Sequence, residues 1–247
     1  MEVLKELSSG YASPAQKSVL AVLSRDPIVK EAFFLTGGTA LSVFYLGHRV
    51  SDDIDLFTRE PLDLAAVTDI IFRPWEGEII GSVRESSFVS IFFRTVKVDF
   101  VVDPLSDFEK RPVADLESGG RLTVDSLEAI AANKLATLLG RVEPKDFIDF
   151  YFLQKEFPRL KADLLFERAR RKDAIFDDPP EAAVRLKEGL RIILMSAPAA
   201  AAGNIDDARR HGLTPYPRLL KPVDWTEFRR VFEDLGDWLT KHEVRPL

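Results

Sequence analysis

Cysteine is absent from this 247-residue chain, which excludes disulfides, thiol catalysis and cysteine-bound zinc, and agrees with a reducing compartment. Histidine is scarce. His48, His211 and His242 lie far apart, which leaves little basis for a histidine-rich metal site, so a metal here would be hard and oxygen-bound, magnesium or manganese first. No stretch reaches the roughly 20 apolar residues of a membrane span; the longest, LRIILMSAPAAAAG from Leu190, is broken by Arg191 and Pro198. The opening MEVLKELSSG carries charges and no apolar core of signal-peptide length. A cytoplasmic protein with no membrane partner is the expectation. Positive charge is not in excess either: the net charge is −6, so no global field draws nucleic acid. The basic clusters at Arg168, Arg170, Arg171 and Lys172, at Arg209 and Arg210, and at Arg229 and Arg230 read as solvated helix faces sooner than as a phosphate track. There is no internal repeat and no low-complexity tract.

What is present suits an ordinary globular protein, 46% hydrophobic and 30% charged, long enough for one large domain or two modest ones. Apolar spacing over residues 14–31 suggests one or two helical segments. Residues 33–36 read as a short buried strand, 39–46 as helical with Gly47 as its stop, 53–58 as a strand and 62–71 as a helix. Residues 78–84, 88–93 and 96–102 are rich in Val, Ile and Phe and read as extended, the last two forming a hairpin at Arg94-Thr95. SGGRLTVDS, residues 118–126, reads as a connector. Beyond it helical patterns cover 127–139, 147–157, 160–171, 182–194 and 225–239, with loops at Asp177-Asp178-Pro179-Pro180 and Thr214-Pro215-Tyr216-Pro217. The expected fold is α/β (α+β), an α/β domain over 1–120 with a mostly helical domain over 121–247.

Two features carry chemistry. The first is the acidic run in HRVSDDIDLFT. A strand turns alternate side chains to opposite faces, so Asp53 and Asp55 share one face and Ile54 and Leu56 the other. VKVDFVV repeats the pattern, with Asp99 opposite Val98, Phe100 and Val102. Three carboxylates on neighbouring strands repel one another unless a cation bridges them. For Asp52-Asp53 alone, a solvated turn or helix cap serves equally well. Asp99 points the other way, because a carboxylate within a strand of valines and phenylalanines is costly unless it lies in a cleft or is paired; Lys97, on the same face, is one possible partner. The second feature is Gly37-Gly38-Thr39, between a strand and a helix, where backbone can approach a phosphate at a helix N-terminus. It is neither a Walker A loop nor a GxGxxG turn.

The two features together, Gly38-Thr39, thirteen residues, then Asp53-x-Asp55, with Asp99 on a later strand, resemble the signature of the DNA-polymerase-β-like nucleotidyltransferases. LTGGTAL from Leu35 and HRVSDDIDLF from His48 are similar, more narrowly, to the AbiEii/AbiGii nucleotidyltransferase toxins. NKLATLLGRVEPKDFIDFYFL, from Asn133, resembles that family's Lys…Arg…Lys/Arg-Asp-x-x-Asp element. The resemblance implies a polymerase-β-like nucleotidyltransferase core with a small mixed sheet, followed by a mostly helical half that completes the active-site cleft.

It also implies roles. Asp53, Asp55 and Asp99 would hold Mg2+ or Mn2+, with Asp99 as base or metal aid. Gly37, Gly38 and Thr39 would hold a nucleoside triphosphate, the commoner superfamily residue at position 39 being serine. Arg49 and Ser51 would stand beside the metal site, Arg49 touching phosphate or steadying the carboxylates. Lys134 shares the apolar stripe of Leu127, Ile130, Ala131 and Leu138, so it needs a carboxylate or phosphate partner, or else its stem packs while the ammonium snorkels outward. Asp146 would either contact nucleotide or complement the helix dipole. Asp149 would pair with Lys134 or Arg141. The implied function is Mg-dependent transfer of a nucleoside monophosphate from an NTP to an acceptor hydroxyl, on a transfer RNA end or a protein, by the toxin of a toxin–antitoxin or phage-defence pair with a possible cognate antitoxin. A small-molecule (antibiotic-type) nucleotidyltransferase and a non-catalytic nucleotide-binding module are the alternatives.

Overall fold

A computed structural model describes residues 3–107, 109–201 and 216–243. The chain divides into two compact units, Met1–Ile130 and Ala131–Leu247.

The first unit is built on a mixed eight-stranded sheet. Its strands are β1 (Val3–Lys5), β2 (Phe34–Thr36), β3 (Ile54–Thr58), β4 (Ile79–Arg84), β5 (Phe88–Phe93), β6 (Val96–Val102), β7 (Val113–Asp115) and β8 (Arg121–Val124), in the spatial order β1-β7-β8-β2-β3-β6-β5-β4. The three long strands β4 to β6 form an antiparallel meander. Arg94 and Thr95 turn β5 into β6 with both φ angles positive, 49° and 70°, as a two-residue hairpin turn of the right twist requires. β3 then lies parallel to β6 with Asp55 opposite Asp99, and antiparallel to β2 with Asp55 opposite Thr36. Leu35, Ile54, Leu56, Val98 and Phe100 are all buried, as are Val19 and Leu20 of the helix α1, Pro14–Leu23. Aromatic edges lock this core: Phe33 and Phe72 meet Phe100 at 5.2 and 6.0 Å between ring centroids.

After α1 come the α-helical segments α2 (Pro27–Ala32), α3 (Gly37–Ala40) and α4 (Leu64–Phe72). The segment that begins at Gly37 does not remain α-helical. Residues Leu41–Tyr45 form a π turn, with Leu46 N–H donating to the Leu41 carbonyl at 2.7 Å and Gly47 N–H to that of Ser42 at 3.1 Å, and Gly47 ends it at φ 54°.

Residues 118–126, expected as a connector, contain β8 instead, which pairs in parallel with β2 and antiparallel with β7. Arg121, Leu122, Thr123 and Val124 alternate exposed and buried, a strand pattern too short to stand out beside two glycines. β1 and β7, three residues each, were likewise not anticipated.

Helix α5 (Leu127–Gly140) begins in the first unit and continues in the second, which also holds α6 (Pro144–Glu156), α7 (Ala162–Arg170), α8 (Pro179–Ala201) and α9 (Trp225–Lys241). α6 is buried without interruption from Asp146 to Leu153. Its Phe147, Phe150 and Tyr151 pack on Phe228 and Phe232 of α9, at 5.0 Å for Phe147–Phe232 and 5.5 Å for Tyr151–Phe228. Gly189 lets α8 approach, since a Cβ there would stand 2.8 Å from the Phe147 ring. Pro179 and Pro180, expected in a loop, open α8, where a missing N–H costs nothing; Asp178 accepts from Glu181 N–H at 3.0 Å. Arg209, Arg210 and the Thr214-Pro215 part of the other expected loop lie outside the described residues. Among the described residues no helix is long and apolar enough to cross a membrane.

Candidate active site

β2 delivers the chain to Gly37 at the centre of the sheet's edge-to-edge order, and β3 and β6 bring the acidic positions beside it. Gly37 has φ 71°, and a Cβ there would overlap the Asp55 Oδ2. Glycine is therefore required twice, for the left-handed backbone and for the carboxylate packed against it. Gly38 is tight on its other side, where a Cβ would lie 2.5 Å from Arg49 Nη2 and 2.6 Å from Ser51 Oγ. Arg49 and Ser51 are both buried, and Arg49 also donates to the Val50 carbonyl at 2.8 Å. The glycine turn, Arg49, Ser51 and Asp55 thus form one packed group. Thr36, at the cap position of α3, makes no side-chain cap; its hydroxyl donates to Asp125 Oδ2 at 3.0 Å instead.

Thr39 is fully buried and its hydroxyl donates to the Asp53 carbonyl. It braces the approach to β3, so any phosphate contact from this residue falls to its backbone N–H. Gln16, from α1, works the same way: its Nε2 donates to the Ser51 carbonyl at 2.8 Å and reaches the Asp53 carbonyl and the Thr39 hydroxyl oxygen, each at 3.4 Å. Sequence reading missed Gln16, since a glutamine in an amphipathic helix carries no signal of its own.

Ile54 and Leu56 are buried while Asp53 and Asp55 are half-exposed, and Asp99 is 7% exposed between buried Val98 and Phe100. β3 alternates buried and half-exposed positions as expected, whereas in β6 Val98, Asp99 and Phe100 are all buried and Val102, expected to go with Val98 and Phe100, is half-exposed. Asp99 does not stand alone. Ser90 Oγ on β5 donates to its Oδ1 at 2.7 Å, and Lys97 Nζ donates to its Oδ2 at 2.5 Å. The same ammonium is 3.8 Å from Asp53 Oδ2. Burial pulls the Lys97 ammonium down, but its bond to Asp99 and the charges of Asp53, Asp99 and Asp55 outweigh burial and raise it above the ordinary lysine value. At a surface dielectric, unit charges about 4 Å apart interact by about 4 kcal/mol, enough for one ammonium to relieve much of the repulsion.

The donor chemistry suits a hard divalent cation: three carboxylates on one sheet face, with a glycine leaving room at the Asp55 oxygen and a cation, Lys97, already drawn among them. Among the described residues, no group of three or more His, Cys, Asp or Glu is placed to hold a metal ion.

A second charged cluster lies within the second unit. Lys134 Nζ is 2.8 Å from Asp146 Oδ1 and 2.7 Å from Asp149 Oδ2, and Arg141 Nε is 2.8 Å from Asp146 Oδ2. Lys134 does not snorkel to solvent: its side chain is 9% exposed and both aspartates are fully covered. Burial alone would raise the Asp146 carboxyl; the charges and hydrogen bonds of Lys134 and Arg141 reverse this and hold it below the usual carboxylate range. Asp149, one turn on, pairs with Lys134.

Asp125 is a further polar centre that the sequence did not single out. It is buried, takes bonds from Thr36 and from Arg111 Nε at 2.9 Å, and its carbonyl accepts from Tyr45 at 2.7 Å. Thr36, Tyr45 and Arg111 stand 89, 80 and 14 positions from it, so no local pattern marks it.

Comparison with known proteins bears on the fold and the family. The fold is similar to that of MenT4, a nucleotidyltransferase toxin from Mycobacterium tuberculosis, at 14% identity and a TM-score of 0.56, covering 92% of this chain and 83% of that one. It is also similar to JHP933 from Helicobacter pylori, at 16% identity and a TM-score of 0.50, covering 92% and 90%. No curated protein sequence matches. Residues 21–234 match the family model described as nucleotidyl transferase AbiEii toxin, type IV toxin–antitoxin system. The chain is thus a nucleotidyltransferase that belongs to the AbiEii toxin family.

Proposed function

We propose that the protein transfers a nucleoside monophosphate from an NTP to an acceptor hydroxyl on an RNA end or a protein, in a Mg-dependent reaction, as the toxin of a toxin–antitoxin pair that acts in the cytoplasm. The observation that carries this reading is the register that sets Asp55 opposite Asp99 on parallel strands and opposite Thr36 at the glycine turn. The glycine turn and the carboxylates are therefore neighbours. The acceptor oxygen attacks the α-phosphorus, the bond to the bridging α–β oxygen breaks, and pyrophosphate leaves; the hydroxyl proton passes to a carboxylate of this face.

In this reading Gly37, Gly38 and Thr39 present backbone N–H groups to the triphosphate, while Arg49 and Ser51, packed on Gly38, fix the turn and its charge. Asp53, Asp55 and Asp99 would hold the metal, which when bound supplies charge stabilisation to the attacking and leaving oxygens. Lys134, Asp146, Asp149 and Arg141 hold one another's charges in defined places through their ion pairs. A titration calorimetry experiment tests the reading. A nonhydrolysable NTP analogue should bind with magnesium and lose binding when Asp53 and Asp55 are both changed to Asn; the absence of metal-dependent nucleotide binding would favour a non-catalytic module.

A further inference from the structure

Two glycines in succession cannot hold a turn by themselves. Gly37 and Gly38 have no side chains to pack, and the freedom that admits φ 71° at Gly37 also makes the ordered turn costly in entropy. The residues on either side must fix it. One buried residue, Asp125, is bonded to both flanks.

Asp125 follows β8 and is 1% exposed. Its N–H donates to the Leu35 carbonyl at 2.8 Å, which carries the β8–β2 pairing toward the end of β2. Its Oδ2 accepts from the Thr36 hydroxyl at 3.0 Å, immediately before Gly37. Its carbonyl accepts from the Tyr45 hydroxyl at 2.7 Å, at the end of the π turn that continues α3. The segment Gly37–Tyr45 is thus tied at both ends to one residue. Arg111 holds that residue in turn. Its Nε donates to Asp125 Oδ1 at 2.9 Å and its Nη2 to the Asp107 carbonyl at 3.0 Å, while its Cζ lies 3.6 Å from the centre of the Phe34 ring. A charge-assisted bond to a stacked guanidinium leaves the carboxylate little freedom.

Thr36 is also the residue that the β2–β3 register sets opposite Asp55, and Asp55 Oδ2 packs against Gly37. A displacement of Thr36 is therefore felt by the turn and by the carboxylate together. Thr36 occupies the cap position with extended backbone, φ −136° and ψ −165°, yet its side chain makes no cap. A threonine there ordinarily accepts from the N–H groups that follow; the bond to Asp125 turns the hydroxyl away from them.

We propose that Asp125 is a positioning residue of the nucleotide site, fixing the glycine turn beside Asp55 through Thr36 and Tyr45. The proposal rests on the reading that this turn takes the triphosphate. Asp125, being buried, acts only through these neighbours.

Nucleotide affinity tests it. The α,β-methylene analogues of ATP, CTP, GTP and UTP are titrated into the full chain by calorimetry with magnesium present. The one that binds best is carried to the variants, each kept well below its melting midpoint. Thr36→Val removes only the hydroxyl, and Thr36→Ser keeps it. Thr36→Val should bind roughly tenfold more weakly, the worth of one buried hydrogen bond, and Thr36→Ser as tightly as the wild type. Asp125→Asn should weaken binding too, and adding Thr36→Val to it should cost nothing further, since both break one link. Where Asp125→Asn does not fold, the two Thr36 variants carry the test. Wild-type affinity in Thr36→Val, equal losses in Thr36→Ser and Thr36→Val, or additive losses in the double variant would overturn the role of Asp125 and leave the nucleotide reading intact. No binding of any analogue by the wild type would overturn both.

Discussion

Asp146 shows how a charge can be kept where apolar packing surrounds it. Its carboxylate lies fully covered on α6 and takes Lys134 and Arg141 on its two oxygens; Asp149 shares the lysine, and Glu143 and Lys145 flank the group, Glu143 lying 3.6 Å from Arg141 and 3.1 Å from Lys145. Its pKa is depressed in the folded chain. The stability it contributes is therefore fully present above the unfolded carboxyl value of about 3.9 and is lost as pH falls through the folded one. Urea midpoints measured from neutral pH down to about pH 3 should fall more steeply for the wild type than for Asp146→Asn, whereas equal slopes would remove Asp146 from the account. Lys134→Met should cost about 3–5 kcal/mol at neutral pH, because two buried carboxylates lose their shared partner. The apolar stripe around Lys134 was enough to say that the lysine needed a partner, and Asp149 was among those expected. That Asp146 would share it was not legible, since an acidic residue in a first helical turn is equally well explained by the helix dipole.

At the scale of elements, the β2 turn is where glycine is indispensable. Gly37→Ala would force a side chain into left-handed backbone, at about 1–3 kcal/mol, and would push Asp55 from its place. Urea unfolding should show a loss of that size together with a fall in nucleotide affinity; an alanine variant of unchanged stability would contradict the described turn. Long elements were readable. The strands at Phe88–Phe93 and Val96–Val102 and their turn were expected where they lie, because five Val, Ile and Phe residues in each outweigh any competing pattern. Val3–Lys5, Val113–Asp115 and Arg121–Val124 were not, because a three- or four-residue strand is specified by the neighbour it pairs with, and β8 pairs with β2 from almost ninety residues away. Asp125 was missed for the same reason. Gly37-Gly38 and the Asp53-Ile54-Asp55 alternation were visible because each is a local constraint, on backbone handedness and on strand period. Lys97 was visible only as a possible neighbour of Asp99; its approach to Asp53 needed the parallel register.

For the whole molecule, an acidic chain without cysteine carries a mixed sheet in one unit and a phenylalanine-rich helical core in the other, and it belongs to a family of nucleotidyltransferase toxins. Composition set few limits on function beyond excluding thiol chemistry and cysteine-bound zinc. The motifs supplied the rest, and they speak for nucleotide and metal far more than for the acceptor. Chemical transfer is accordingly the claim on which the account stands. The direct measurement is incubation of the protein with NTPs labelled at the α-phosphate, magnesium, and total RNA or cell lysate, beside Asp55→Asn. Label should pass to a macromolecule only with magnesium present, and the variant should lose roughly a thousandfold in rate, about 4 kcal/mol of transition-state stabilisation, while its melting curve stays close to that of the wild type. Label that never leaves the nucleotide, or transfer by Asp55→Asn at the wild-type rate, would contradict it.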